Sequence, residues 1–171
     1  MPNTNATVLN VDWNITSGAS AAVLNDSLVF VTGGVYSEKR TYSYDLNTGE
    51  LKRLADMKSK RNWHTTVALL NKIYVCGGRW DGKTCEVYDA DLDVWNYIKP
   101  MNIDRYAHAA VVVSGKMYQI DGWNGTNILS SMESYDPATN QWGAKSAMNV
   151  GRRVIQLLLL KTQFMYVAVL I

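Results

Sequence analysis

A period of 44 residues runs through this chain, and it constrains the fold more than any other feature. Gly34, Gly78 and Gly122, in VFVTGG, IYVCGG and YQIDGW, stand 44 residues apart each time. Tyr-Asp pairs follow at 44–45, 88–89 and 135–136, and seven residues past each tyrosine comes a large side chain: Leu51, Trp95 or Trp142. Each unit then places a methionine four residues ahead of an arginine: Met57 and Arg61, Met101 and Arg105, Met148 and Arg152. His64 and His108 lie three residues beyond the first two arginines.

Each unit reads as short strands. IYVCGG is apolar, β-branched and aromatic, and it stops at glycines; TCEVYD alternates and ends in a turn rich in Asp, Asn, Pro and Gly. WNYIKPM and HAAVVV supply two more strands, separated by a polar corner at NIDR. Four strands per period of 44–47 residues is the signature of a propeller blade. The predicted fold is therefore all-β, an incomplete β-propeller of about three four-stranded antiparallel blades plus part of a fourth. The units fall at about 17–60, 61–104 and 105–151, after a leader (1–16) that includes the end of a preceding repeat.

Composition narrows the function. A net charge of +2 without a Lys/Arg run argues against nucleic acid. Ten Tyr and six Trp against two Phe favour strands and interaction surfaces. The two cysteines, Cys76 and Cys85, give no disulfide framework and are expected to be reduced, buried thiols. The N-terminus has neither a basic nor an apolar signal region, so a cytoplasmic location is expected.

The tail from Val154 to Ile171 is the exception, nearly unbroken apolar sequence. The register places the next IYVCGG-like strand at 164–169, yet FMYVAV there has no glycine pair. Read one frame away, the codons for those residues can spell IYVCGG at that register, which favours a frameshift after about Arg152. A native strand pair and a membrane anchor stay open beside it. The anchor is disfavoured by Lys161 near its centre, at a cost of about 2.5 kcal/mol or more. The strand pair is disfavoured by the lack of turn residues.

With its double glycine, its Tyr-Asp pair before a turn and its spaced tryptophan, the chain resembles the kelch repeat over about residues 17–153. It departs at Asp121, which breaks a double glycine, and at Leu51, which replaces a tryptophan. MNIDRYAHAAVVVSGKMYQIDGWNGT and SMESYDPATNQW are most similar to the kelch halves of BTB-kelch proteins, cellular and poxviral. In that group the propeller binds a substrate and an N-terminal BTB domain recruits a cullin-3 ubiquitin ligase. About 16 residues precede the repeats, so the resemblance implies an interaction module without its BTB half. Two alternatives remain: a competitor that occupies the ligand without recruiting a ligase, and a remnant without activity. An open arc also leaves blade faces through which copies could self-associate.

No catalytic constellation stands out. The two histidines recur at equivalent positions, as structural residues would, and no zinc-like cysteine spacing exists. The glycine doublets end strands and do not open helices, so they are not phosphate cradles. Neither an enzyme, a cofactor, a metal nor a membrane is expected. Function then falls to the loops. The resemblance implicates Arg61 and Arg105 at the corners, and Arg79, Trp80, Asp81, Trp123 and Asn124 after the glycines, in binding a protein ligand. Trp63 and Tyr106 stand beside the corner arginines as further candidates. The competing reading of Arg61 and Arg105 is that they tie blade to blade by hydrogen bonds.

Overall fold

The computed structural model describes residues 17–152, and the backbone of residues 155–160 and 163–168. Among them every regular element is a β-strand. The first blade holds β1 (Ser20–Leu24), β2 (Leu28–Thr32), β3 (Thr41–Asp45) and β4 (Leu51–Leu54). The second holds β5 (Thr65–Leu69), β6 (Lys72–Cys76), β7 (Cys85–Asp89) and β8 (Val94–Ile98). The third holds β9 (Ala109–Val113), β10 (Lys116–Ile120), β11 (Met132–Asp136) and β12 (Gln141–Lys145). Each blade is an antiparallel sheet with its strands in chain order, and β1, β5 and β9 lie in succession from blade to blade. This is a partial, unclosed propeller.

The repeated letters explain the blades. Each Tyr-Asp aspartate caps the turn after it. Asp45 Oδ1 accepts from the Asn47 and Thr48 amides at 2.7 and 3.2 Å, and Asp89 Oδ1 accepts from Asp91 and Leu92 at 3.1 and 3.2 Å. Asp136 does the same with Ala138 at 3.0 Å. The tyrosine and the tryptophan point back at the preceding blade. Tyr88 and Trp95 join Phe30, Leu54, Met57, Ile73 and Val75 in one buried cluster. Tyr135 and Trp142 enter a second cluster, with Tyr74, Met101 and Met117. The tryptophans' Nε1 atoms also reach the preceding unit, Trp95 donating to the Ala55 carbonyl at 3.2 Å and Trp142 to that of Lys99 at 2.7 Å.

The double glycine has a steric cause. At Gly77 (φ 71°) a Cβ would stand 2.5 Å from the Arg105 carbonyl oxygen and 2.7 Å from His108 Cε1. Gly33 has the same relation to Arg61 and His64. The first glycine thus leaves room for the next unit's corner and its histidine. The third unit has Asp121 at this place, with φ 56°.

One expectation requires correction. Cys76 and Cys85 are not free thiols: they face each other across β6 and β7, with Cα atoms 4.2 Å apart, and form a disulfide. Their separation of nine residues concealed the fact that the glycine loop returns one opposite the other. Breaking this bond with reductant is expected to lower stability by about 2–3 kcal/mol, the chain-entropy value for so short a loop. A urea midpoint unchanged by reductant would contradict that.

For the tail, a frameshift was the favoured expectation, with a native strand pair and an anchor beside it; the first concerns the gene and not the backbone. As it stands, β13 (Ile155–Leu160) and β14 (Gln163–Ala168) pair antiparallel, with β13 beside β9. That is the place of a fourth blade's first two strands, and β14 starts one residue before the expected 164–169. Apolar and β-branched residues satisfy a ladder whatever reading frame supplied them. Val154, residues 161–162 and residues 169–171 lie outside the described residues. No helix among the described residues is long and apolar enough to cross a membrane.

Candidate functional site at the loop end of the blades

Strand order fixes which loops can meet. In a four-stranded meander the loop between the second and third strands and the linker leaving the fourth share one end. The tight turns share the other. The loop end therefore gathers the post-glycine loops with the arginine corners, and the turn end gathers the Asp-capped turns.

The corner arginines are inside. Arg61 and Arg105 are each 0% exposed. Arg61 Nη2 pairs with Glu86 Oε1 at 2.8 Å, while its Nη1 donates to the Gly77 and Thr84 carbonyls at 2.7 and 2.8 Å. Its backbone stays with the first blade, its amide donating to the Glu38 carbonyl at 2.8 Å and its carbonyl accepting from Gly34 at 3.0 Å. Arg105 repeats the pattern one unit on: Nη2 to Glu133 Oε1 at 3.1 Å, Nη1 to the Asp121 and Ser131 carbonyls at 2.8 Å each, and its backbone on Gly82 and Gly78. Burial lowers the pKa of both guanidiniums, and their glutamates oppose that. Each arginine ties one blade to the next and clamps the base of a glycine loop. Both are removed from the accessible face implied by the resemblance.

The histidines line the same seam. His64 Nε2 shares a 2.7 Å hydrogen bond with Thr32 Oγ1, and His108 Nε2 a 3.3 Å one with Thr65 Oγ1. Burial, aided by Arg105, pushes His108 from 6.5 down to about 3, and burial with Arg61 holds His64 well below its usual range. Asp121 moves the other way, raised by burial from 3.8 to about 6 against the pull of Arg105 and Arg152. A depressed histidine contributes stability that is whole above pH 6.5 and is lost as acid protonates the unfolded chain first. A raised carboxyl has the opposite slope between 3.8 and 6. With two histidines against one carboxyl, the urea midpoint is expected to fall from pH 6.5 to 4, more steeply in Asp121→Asn. A midpoint that rises on acidification would contradict the buried neutral histidines.

The other candidates part company with the arginines. Arg79, Trp80 and Asp81 are exposed, Trp80 by 60%, with the Arg79 guanidinium 5.9 Å from the Trp80 ring centroid. They border a cavity of about 280 Å³ whose far side is Tyr106, Asn124 and Gly125. Asn124 also shapes its own loop, its Oδ1 accepting from the Thr126 and Asn127 amides at 2.9 and 2.7 Å. Trp123 is half-buried, does not line the cavity, and exchanges backbone hydrogen bonds with Tyr106 at 2.9 and 3.0 Å. Trp63 does not border the cavity and lies against Gly18. Lys83 and Asp104, absent from the sequence-based set, complete the rim. Lys83 lies in the loop after the second glycine doublet and Asp104 in the NIDR corner. Among the described residues no group of three His, Cys, Asp or Glu side chains could hold a metal.

The repeats have counterparts among known proteins. The Kelch motif family matches residues 61–102 and 104–148. The chain belongs to the kelch repeat family. Its first unit lies outside that match but builds the same four-stranded sheet. Among curated relatives, human Kelch-like protein 24 is 36% identical over 104 residues, 60% of this chain and 17% of that protein. Beta-scruin of Limulus polyphemus is 30% identical over 153 residues, 77% of this chain and 17% of that protein. A kelch repeat and BTB domain-containing protein of Caenorhabditis elegans is 32% identical over 142 residues, 77% of this chain and 24% of that protein. This kelch chain thus spans a quarter or less of the length of these relatives. The solved structure of YjhT superposes with a TM-score of 0.73 at 16% identity, over 82% of this chain and 54% of that one, a likeness of fold.

Proposed function

We propose that the loop end of this kelch arc binds a partner protein, and that in its family setting the bound protein is the substrate of a cullin-3 ubiquitin ligase. The observation carrying the reading is the cavity where Arg79, Trp80 and Tyr106 meet across two blades. Tryptophan, tyrosine and arginine are the side chains that most often dominate protein interfaces. Exposed on rigidly clamped loops, they need little ordering to engage a partner. The kelch-like and BTB-containing relatives support the ligase setting by likeness alone.

The test begins with a photo-crosslinking residue at Lys83, on the cavity rim, and a control at Thr139, on the turn end of the third blade. The protein captured through position 83 is then purified and titrated. Arg79→Ala with Trp80→Ala is expected to weaken its binding by about 30-fold or more, the loss of at least one hot spot, while the thermal midpoint stays put. Equal binding by the double variant would refute the assignment of this face.

A further inference from the structure

The turn end of the first two blades carries a second surface. Leu46, Leu70 and Leu92 are exposed by 48, 67 and 72%, each at a turn tip of those two blades. The third blade offers Ser114-Gly115 and Pro137-Ala138-Thr139 at its own turns. All three stand on the end of the blades where the tight turns gather.

Two cavities open between these same blades. One, about 180 Å³, is walled by Leu24, Phe30, Ile73 and Tyr88. The other, about 240 Å³, is walled by Leu28, Phe30, Ser43, Leu54 and Tyr88. They share the Phe30 and Tyr88 rings, whose centroids are 5.7 Å apart. The second cavity has a local cause. Ser43 stands where the second blade has Val87, and Val87 packs into the cluster between the second and third blades. One missing branched side chain leaves an apolar opening at the seam.

Charge selects the occupant. Asp45 and Glu50 line one cavity, Asp89 and Asp91 the other, with Lys52 and Lys72 as the opposing charges. Asp26 adds to the acidic side at a neighbouring turn, while Asp93 is engaged by the Tyr88 hydroxyl and the Ala55 amide, near Lys52 and Arg53. An acidic segment would meet repulsion here, and a basic one attraction.

We propose that this turn face is a docking surface for a partner segment in which apolar side chains alternate with lysine or arginine. An apolar side chain of the partner enters the seam against Phe30 and Tyr88. Its cations meet the carboxylates of the rim, and its remaining apolar surface covers the three leucines. The face lies at the opposite end of the blades from the Arg79–Trp80 cavity and stands independently of that reading.

The experiment uses the full chain and a short synthetic peptide in which leucine and lysine alternate, with a leucine–glutamate counterpart as control. Hydrogen exchange should slow at the turns around 45–50 and 88–93 with the lysine peptide, leaving 79–84 unchanged. Ser43→Val, which fills the seam, should weaken binding by about tenfold, the worth of roughly one excluded apolar side chain, with an unchanged or higher thermal midpoint. Leu70→Asn with Leu92→Ser, both at exposed turns, should weaken it comparably without unfolding the chain. Protection at 79–84 instead, equal binding of the glutamate peptide, full binding by either variant, or no binding of the lysine peptide would each overturn the proposal.

Discussion

Arg61→Ala is expected to destabilise the chain by about 3–5 kcal/mol, because it strands a fully buried carboxylate. Glu86 accepts from the Lys58 and Ser59 amides at 2.7 and 3.1 Å, but its charge is answered by Arg61. The guanidinium also satisfies the Gly77 and Thr84 carbonyls, both ends of the loop that presents Arg79 and Trp80. Loss of the side chain should therefore loosen that loop as well as the blade seam. Arg61→Lys should rescue only part of the loss, since one ammonium cannot span Glu86 and two carbonyls in the same fork. The urea midpoint of each variant decides the matter. An unchanged midpoint in Arg61→Ala would mean the pair contributes nothing net.

Trp95→Ala is the other large effect, expected at about 3–5 kcal/mol for a fully buried aromatic. The indole is 1% exposed, packs at 5.2 Å on Tyr88, and donates to Thr41 Oγ1 and to the Ala55 carbonyl. Its removal opens the seam between the first two blades, where cavities already exist. Trp142 occupies the equivalent place between the second and third blades but is partly exposed, so Trp142→Ala should cost clearly less. Equal losses would show that the repeat position, and not burial, sets the energy.

The repeat made the fold legible because each of its letters has one geometric duty. Glycine doublets admit the next corner, aspartates cap turns, and tryptophans reach the preceding blade. The candidate site was legible only as a set of loops. Repetition marked Arg61, Arg105 and the post-glycine segments, but a repeated residue is one whose contacts repeat, and contacts between blades repeat more faithfully than contacts with a ligand. Arg61 and Arg105 therefore proved internal. Arg79, which no other unit shares, is exposed at the cavity. Glu86 and Glu133, the buried partners, could have been anticipated: they precede the tyrosines at equivalent positions, and the first unit, with Tyr42 there, has no corner arginine before it among the described residues. The Cys76–Cys85 bond needed the strand register, which differs from a sequence interval by the length of the loop between.

The most direct test of the account is the hydrogen-exchange footprint of the complex with the protein captured through position 83. The account predicts protection confined to residues 79–84, 104–106 and 123–127, across two blades on the loop end. Protection on the turn end, with those three segments unchanged, would contradict it.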